Sequence, residues 1–193
     1  MFFLGEAYKA VTTLRLVYNS PRFSEDLDFS VNGKIAPKDF KKTMTAIVNS
    51  DERFSITDLA SEYYTHLAQI RIKESWQKIA ISMKIEVSRR ITKENNSKFA
   101  NLLAKSASTN ISVITKVFSL EVILEDKLRM IKGRKMPRDI FDIWFICEKL
   151  NKPFTLKNLG YPKGKIRQEL RKFLPFSFYP VIEDLEKLNA KSL

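Results

Sequence analysis

Apolar residues recur at every second position over residues 79–88 and at every third or fourth position from about Leu120 onward. This change of period limits what the chain can fold into. In 79–88, Ile79, Ile81, Met83, Ile85 and Val87 alternate with Ala80, Ser82, Lys84, Glu86 and Ser88. That pattern predicts a strand with one buried face and with Lys84 and Glu86 together on the other. Beyond Leu120, one helical stripe runs Leu120, Ile123, Leu124, Leu128, Ile131 and a second runs Ile140, Ile143, Trp144, Cys147, Leu150. Pro153, Pro162, Pro175 and Pro180 divide the tail into short helices.

The earlier segments read mostly as strands. Residues 1–11 are a short apolar strand leading into a helix that ends near Tyr18, where Asn19-Ser20-Pro21 is a turn signal. Residues 26–31, 54–60, 63–74 and 111–117 follow as strands, and Pro37 opens a helix to about Asn49. Residues 91–109, rich in Ser, Asn and Lys, read as a loop or short helix joining two halves. The layout is α+β, a sheet-rich part over 1–117 and a helical part over 118–193.

Composition excludes several classes. The 193 residues are 44% hydrophobic, enough for a real core. Cys147 is the only cysteine and His66 the only histidine, so a Cys/His zinc site or an internal disulfide is not supported. No G-x-G-x-x-G or G-x-x-x-x-G-K-[ST] occurs among the five glycines, so any phosphate site must use another device. No apolar run is long enough to span a membrane and no signal peptide is apparent, which makes the cytoplasm the expected location. The net charge of +12 favours polyanionic partners, or else is a solubilising lysine surface.

The chemistry-bearing segment is Arg22-Phe23-Ser24-Glu25-Asp26-Leu27-Asp28-Phe29-Ser30. On a strand, Asp26 and Asp28 project to one side while Leu27 and Phe29 face the core. Two carboxylates fixed side by side repel, and a hard divalent cation, Mg²⁺, relieves the repulsion. Such a pair suits phosphoryl or nucleotidyl transfer. If the 79–88 strand lies beside it, Glu86 becomes a third ligand; the plain alternative is a solvent-facing Lys84/Glu86 pair.

Two patches carry a family resemblance. Thr12-Thr13-Leu14-Arg15-Leu16-Val17-Tyr18 followed by Arg22-Phe23-Ser24-Glu25-Asp26-Leu27-Asp28-Phe29 resembles the opening of the AbiEii/AbiGii toxin family. Glu125-Asp126-Lys127-Leu128, then Arg134, then Pro137-Arg138-Asp139-Ile140-Phe141-Asp142, is similar to that family's later helices. The resemblance implies a DNA polymerase β-like nucleotidyltransferase fold, a mixed sheet flanked by helices, with the C-terminal helices completing a cleft. It implies transfer of a nucleoside monophosphate from an NTP to RNA, expected to be tRNA, and a cognate antitoxin protein as partner. It assigns Asp26, Asp28 and Glu86 to Mg²⁺ and catalysis, and Asp139 to catalysis. Thr12, Arg22, Ser24, Lys127 and Arg138 fall to nucleotide binding.

The family's Gly-Gly falls on Ala10-Val11, and a β-branched residue limits close backbone approach to a triphosphate. Gly5-Glu6 is the other candidate for that turn. The chain also starts almost at the first strand, where family members carry an N-terminal helix. A second reading therefore stands: a non-catalytic protein of the same fold that binds RNA, nucleotide or a protein partner. Lys127 and Arg134 lie seven apart, and Asp139 and Asp142 three apart, so each pair shares a helix face. They read either as a nucleotide-facing wall or as a salt-bridge cluster tying helices together. Phe141, Trp144 and Phe145 read as core, and Tyr63 or Tyr64 as a base-stacking candidate.

Overall fold

A seven-stranded mixed sheet in the order β3-β4-β5-β2-β1-β7-β6 positions the carboxylates. The computed structural model describes residues 6–8, 10–31, 35–88, 99–106, 109–133, 136–157 and 159–190. Its strands are β1 (Glu6–Tyr8), β2 (Asp26–Val31), β3 (Phe54–Ser61), β4 (Thr65–Ile72), β5 (Ile81–Ser88), β6 (Phe99–Lys105) and β7 (Ser112–Phe118). Its helices are α1 (Ala10–Leu16), α2 (Pro37–Asn49), α3 (Leu120–Gly133), α4 (Pro137–Lys149), α5 (Lys165–Leu170) and α6 (Tyr179–Ala190). β2 pairs with β5, and β1 with β7, in parallel; the other neighbours are antiparallel.

Two compact units result. One comprises residues 1–13 and 24–118, the other 14–23 and 119–193. The expected division at 117/118 treated everything before it as one piece, whereas Leu14–Phe23 belongs with the C-terminal helices. Local bonds show why. The Phe23 N–H donates to the Phe173 carbonyl at 2.9 Å, and Arg22 pairs with Asp142. Asn19 takes a left-handed φ of 60°, and the Ser20 N–H reaches back to the Leu14 carbonyl at 2.7 Å. The left-handed residue and this back-reaching bond end the helix and turn the chain.

In the sheet unit, α2 covers one face. Pro37 starts it, where a missing N–H costs nothing, and Asp39 sits favourably in its first turn. Phe40 and Met44 are buried with Ala68, Ile70, Ile85 and Val87, and Leu27, Phe29, Ile47 and Val48 pack around them. Losing the Phe40 ring from this core would cost about 3–5 kcal/mol. His66 belongs to the same layer. Its ring stacks on Phe40 at 4.9 Å, its Nε2 donates to the Ile35 carbonyl at 3.1 Å, and its Nδ1 lies 2.8 Å from the Ser61 hydroxyl. The single histidine is thus a satisfied core residue.

Three expectations need correction. Tyr63 and Tyr64 sit in the turn between β3 and β4, not in a strand, and their rings meet edge to face at 4.5 Å. Within 91–109, read as a loop or helix, residues 99–105 form β6, which among the described residues is an edge strand paired with β7. The alternating stripe of 79–88 starts as a strand only at Ile81, and its first two members are outside the core: Ile79 is 84% and Ile81 55% exposed.

The helical unit buries Ile123, Ile131, Ile140, Phe141, Ile143, Ile146, Ile166, Leu170, Ile182 and Leu185. The buried Glu186 carboxylate accepts from the Gly164 N–H at 2.6 Å and the Arg167 N–H at 3.1 Å, closing the start of α5. Asn189 accepts from the Tyr161 N–H at 3.1 Å and donates to the Tyr161 carbonyl at 3.0 Å, holding the preceding loop.

Candidate functional site

The parallel register of β2 and β5 sets Asp26 beside Lys84 and Asp28 beside Glu86. Side chains at paired positions emerge on the same side of a sheet, so three carboxylates and one ammonium share the face opposite α2. The Leu27 and Phe29 side chains go the other way, into the core, which is what holds the aspartates outward. The two aspartates are half-buried, Lys84 and Glu86 are 41% and 37% exposed, and the Lys84 ammonium donates to Glu86 Oε2 at 2.8 Å. That hydrogen bond raises the Lys84 ammonium above the usual lysine range against partial desolvation; the Glu86, Asp26 and Asp28 charges add to the rise.

The hydroxyls expected at a phosphate secure the start of β2. Thr12 Oγ1, buried, donates to the Asp26 carbonyl at 3.3 Å, and Ser24 Oγ, exposed, donates to the same oxygen at 2.9 Å. Both fix the backbone that carries the first aspartate. Ala10 and Val11 form the first residues of α1. Gly5 lies outside the described residues.

The donor set suits a hard cation. All three carboxylates offer oxygen ligands, and their mutual repulsion falls when a divalent ion such as Mg²⁺ lies between them. Among the described residues, no three His, Cys, Asp or Glu side chains are gathered as a metal cluster. Glu86 is instead held by Lys84.

The other predicted residues form a second group, in the helical unit. Arg22 is 2% exposed and grips both oxygens of Asp142, Nε to Oδ1 at 2.7 Å and Nη2 to Oδ2 at 2.9 Å. Its Nη1 donates to the Phe23 carbonyl at 3.2 Å. Lys127, 3% exposed, lies 2.7 Å from Asp139 Oδ1 and 2.7 Å from Asp142 Oδ2. Two cations and two fully buried anions therefore balance. The Lys127 charge, expected at a triphosphate, is already countered twice. Burial acts to raise the Asp142 carboxyl, but the Lys127 and Arg22 charges outweigh it and hold the group below the usual carboxylate range.

Sequence spacing missed two features. Tyr161 lies near enough to Asp139 that burial first, and that negative charge second, push its phenol up to about 12. Its hydroxyl is buried without a hydrogen-bond partner among the described residues. Arg22, which the resemblance assigns to nucleotide binding, has its carboxylate partner 120 residues away in α4, a pairing that no local pattern encodes. Arg138 is half-buried in the first turn of α4, and Arg134 lies outside the described residues.

Comparison with known structures places the fold. JHP933 of Helicobacter pylori is 22% identical, with a TM-score of 0.57 over 97% of this chain and 76% of that one. A second H. pylori protein, solved as a candidate nucleotidyltransferase, is 23% identical, with a TM-score of 0.56 over 97% of this chain and 78% of that one. MenT4, a nucleotidyltransferase toxin of Mycobacterium tuberculosis H37Rv, is 14% identical, with a TM-score of 0.53 over 98% of this chain and 76% of that one. No curated protein sequence matches the chain significantly. The family model described as nucleotidyl transferase AbiEii toxin, type IV toxin–antitoxin system, matches residues 12–181, and with most of the chain so covered, the protein belongs to the AbiEii nucleotidyltransferase toxin family.

Proposed function

We propose that the protein transfers a nucleoside monophosphate from an NTP to the 3′-hydroxyl of an RNA, with tRNA the expected acceptor, and that it does so with Mg²⁺. The observation that carries this reading is the register of β2 against β5, which sets Asp26, Asp28 and Glu86 on one sheet face. Asp26 and Asp28 would hold Mg²⁺, with Glu86 joining them on leaving Lys84. When bound, the ion supplies counter-charge to the triphosphate and acidifies the attacking hydroxyl. The 3′-oxygen forms a bond to the α-phosphorus as the bond to the leaving pyrophosphate breaks, and the proton passes to a Glu86 oxygen. Thr12 and Ser24 keep the Asp26 backbone fixed, which matters because an error of about 1 Å in positioning can cost on the order of a hundredfold in rate. Lys127, Asp139 and Arg22 act in this reading by holding the helical unit together.

The test is incubation of folded protein with each labelled NTP, Mg²⁺ and total tRNA. Label enters RNA with the parent and is lost in Asp26→Asn. Absence of label with every NTP would overturn the reading. The second reading, a non-catalytic protein of the same fold, is favoured by the countered Lys127 and by Ala10-Val11 in place of glycines. Calorimetry separates the two: tight Mg²⁺-dependent NTP binding, lost in Asp26→Asn, supports catalysis. Gly replacement at Ala10 and Val11 is expected to raise transfer if that turn limits it; unchanged transfer in a folded variant moves the limit elsewhere.

A further inference from the structure

The apolar stripe of β5 does not end where the core ends. Met83, Ile85 and Val87 pack under α2 or into its surroundings, but Ile81 and Ile79 continue into solvent, and Trp76 beside them is 77% exposed. Three large apolar side chains left open within six residues are not the scattered surface residues any protein shows.

The segment bearing them is not slack. The Gln77 N–H donates to the Glu74 carbonyl at 3.1 Å, a four-residue turn with Ser75 and Trp76 at its tip. The Gln77 side chain accepts from the Glu74 N–H at 3.1 Å. The Lys73 N–H donates to the Arg53 carbonyl at 3.0 Å, and Arg53 grips the Glu74 carboxylate at 2.7 Å. Trp76 is therefore presented on a turn braced at its base. Arg53 is shared between the carboxylates of Asp51 and Glu74, the latter the one acid of this stretch, and Arg71, Lys73 and Lys78, all exposed, leave the surface net positive.

Register links Arg71, though not Ile79 and Ile81 on the α2 side, to the carboxylates. Arg71 pairs with Ser82 on β5, two residues before Lys84, and Lys84 pairs with Asp26 on β2. Arg71 therefore lies on the carboxylate face, roughly 12 Å from Asp26 by standard strand spacings.

We propose that the turn at 73–80, with Arg71, is a docking surface for single-stranded RNA, with one base stacked on Trp76 and the backbone phosphates on Arg71, Lys73 and Lys78. An indole offers a face to any unstacked base, and cations track the phosphates; a duplex keeps its phosphates, but its bases are already stacked and offer the indole no face. The charge of the stretch selects a polyanion over an apolar protein face. That this RNA is the acceptor rests on the function proposed above; the binding itself does not.

The experiment uses the full chain in EDTA, titrated into a fluorescein-labelled, unstructured oligoribonucleotide and into the same strand annealed to its complement. The parent is expected to bind the single strand more tightly. Trp76→Ala should weaken single-strand binding about tenfold, and Trp76→Phe should restore most of it. Arg71→Ala should lower the salt slope by about 0.7. Single-strand binding unchanged in both Trp76→Ala and Arg71→Ala, or absent in the parent, overturns the proposal; the first result would turn attention to a protein partner. The parent's own label-transfer assay separates the two claims. RNA binding that depends on Trp76 in a protein that transfers no label leaves the docking surface standing and removes the proposed function.

Discussion

Two ionic clusters in this molecule use the same residue types in opposite settings. On β2 and β5, Asp26, Asp28, Glu86 and Lys84 stand on a face that water reaches. In the helical unit, Arg22, Lys127, Asp139 and Asp142 are almost wholly excluded from it. Solvent decides what each can do. Exposed charges are cheap to hold and free to change partners, so their worth lies in chemistry. Buried charges are costly unless every one is matched, so their worth lies in the arrangement they enforce, and a missing member is felt throughout.

The largest expected effect follows from breaking the buried set. Asp142→Ala leaves Arg22 and Lys127 with one carboxylate between them in a dry interior. The loss should be about 3–5 kcal/mol, read by denaturant unfolding followed by far-UV circular dichroism. Arg22→Met combined with Asp142→Leu sharpens the point, because removing a matched pair should cost far less than removing one partner. A loss below about 1 kcal/mol for Asp142→Ala would show that solvent reaches this cluster after all.

Acid should act on the same cluster. The folded Asp142 carboxyl lies below its unfolded value, near 3.9. Its contribution is therefore complete above about pH 4 and is lost as pH falls through the lower folded value. Unfolding free energies measured from pH 6 down to pH 2 should decline over that lower range, and Asp142→Asn should flatten the decline. Asp51, held to about 2 by hydrogen bonds from Arg53, titrates in the same direction but at the surface, so its share is small.

How much of this was legible depended on whether the signal was local. Alternation around Leu27 and Phe29 correctly placed Asp26 and Asp28 on one face, and Pro37 correctly opened α2. The spacing of Asp139 and Asp142 implied a shared helix face but not what that face meets. Arg22 closes the network from 120 residues away, so only the folded chain reveals it. β6 escaped notice because an edge strand needs one partner and no continuous buried face, so its sequence carries little pattern. The stripe at 79–88 misled in the other direction. Period two reports which side residues share, not whether anything covers it, and nothing in the described core covers Ile79.

The exposed cluster should respond weakly in stability and strongly in ion binding. Lys84→Met removes the cation hydrogen-bonded to Glu86, a pair open enough to be worth roughly 0.2–1 kcal/mol. Without Mg²⁺ the variant should unfold slightly more easily than the parent. With Mg²⁺ it should gain more, since no ammonium has to be displaced from Glu86 and the carboxylate face carries one positive charge fewer. Thermal melts across a Mg²⁺ series measure both. Equal Mg²⁺ responses in the variant and the parent would show that Lys84 does not compete for the site.

Asp26→Asn should give the smallest stability change of all, within about 0.5 kcal/mol in the absence of Mg²⁺. The backbone at this position is what the fold uses: its carbonyl takes the Thr12 and Ser24 hydroxyls, and its amide lies on the ladder to β5. Asparagine keeps all of that. What it loses is negative charge, which removes repulsion from Asp28 while giving up attraction to Lys84, two opposed terms of similar kind. The same change should abolish the Mg²⁺-dependent rise in melting temperature and the transfer of label to RNA. Stability held and ion response lost is the signature of a residue kept for chemistry. A destabilisation comparable to that of Asp142→Ala would instead place Asp26 with the buried cluster, as part of what holds the fold.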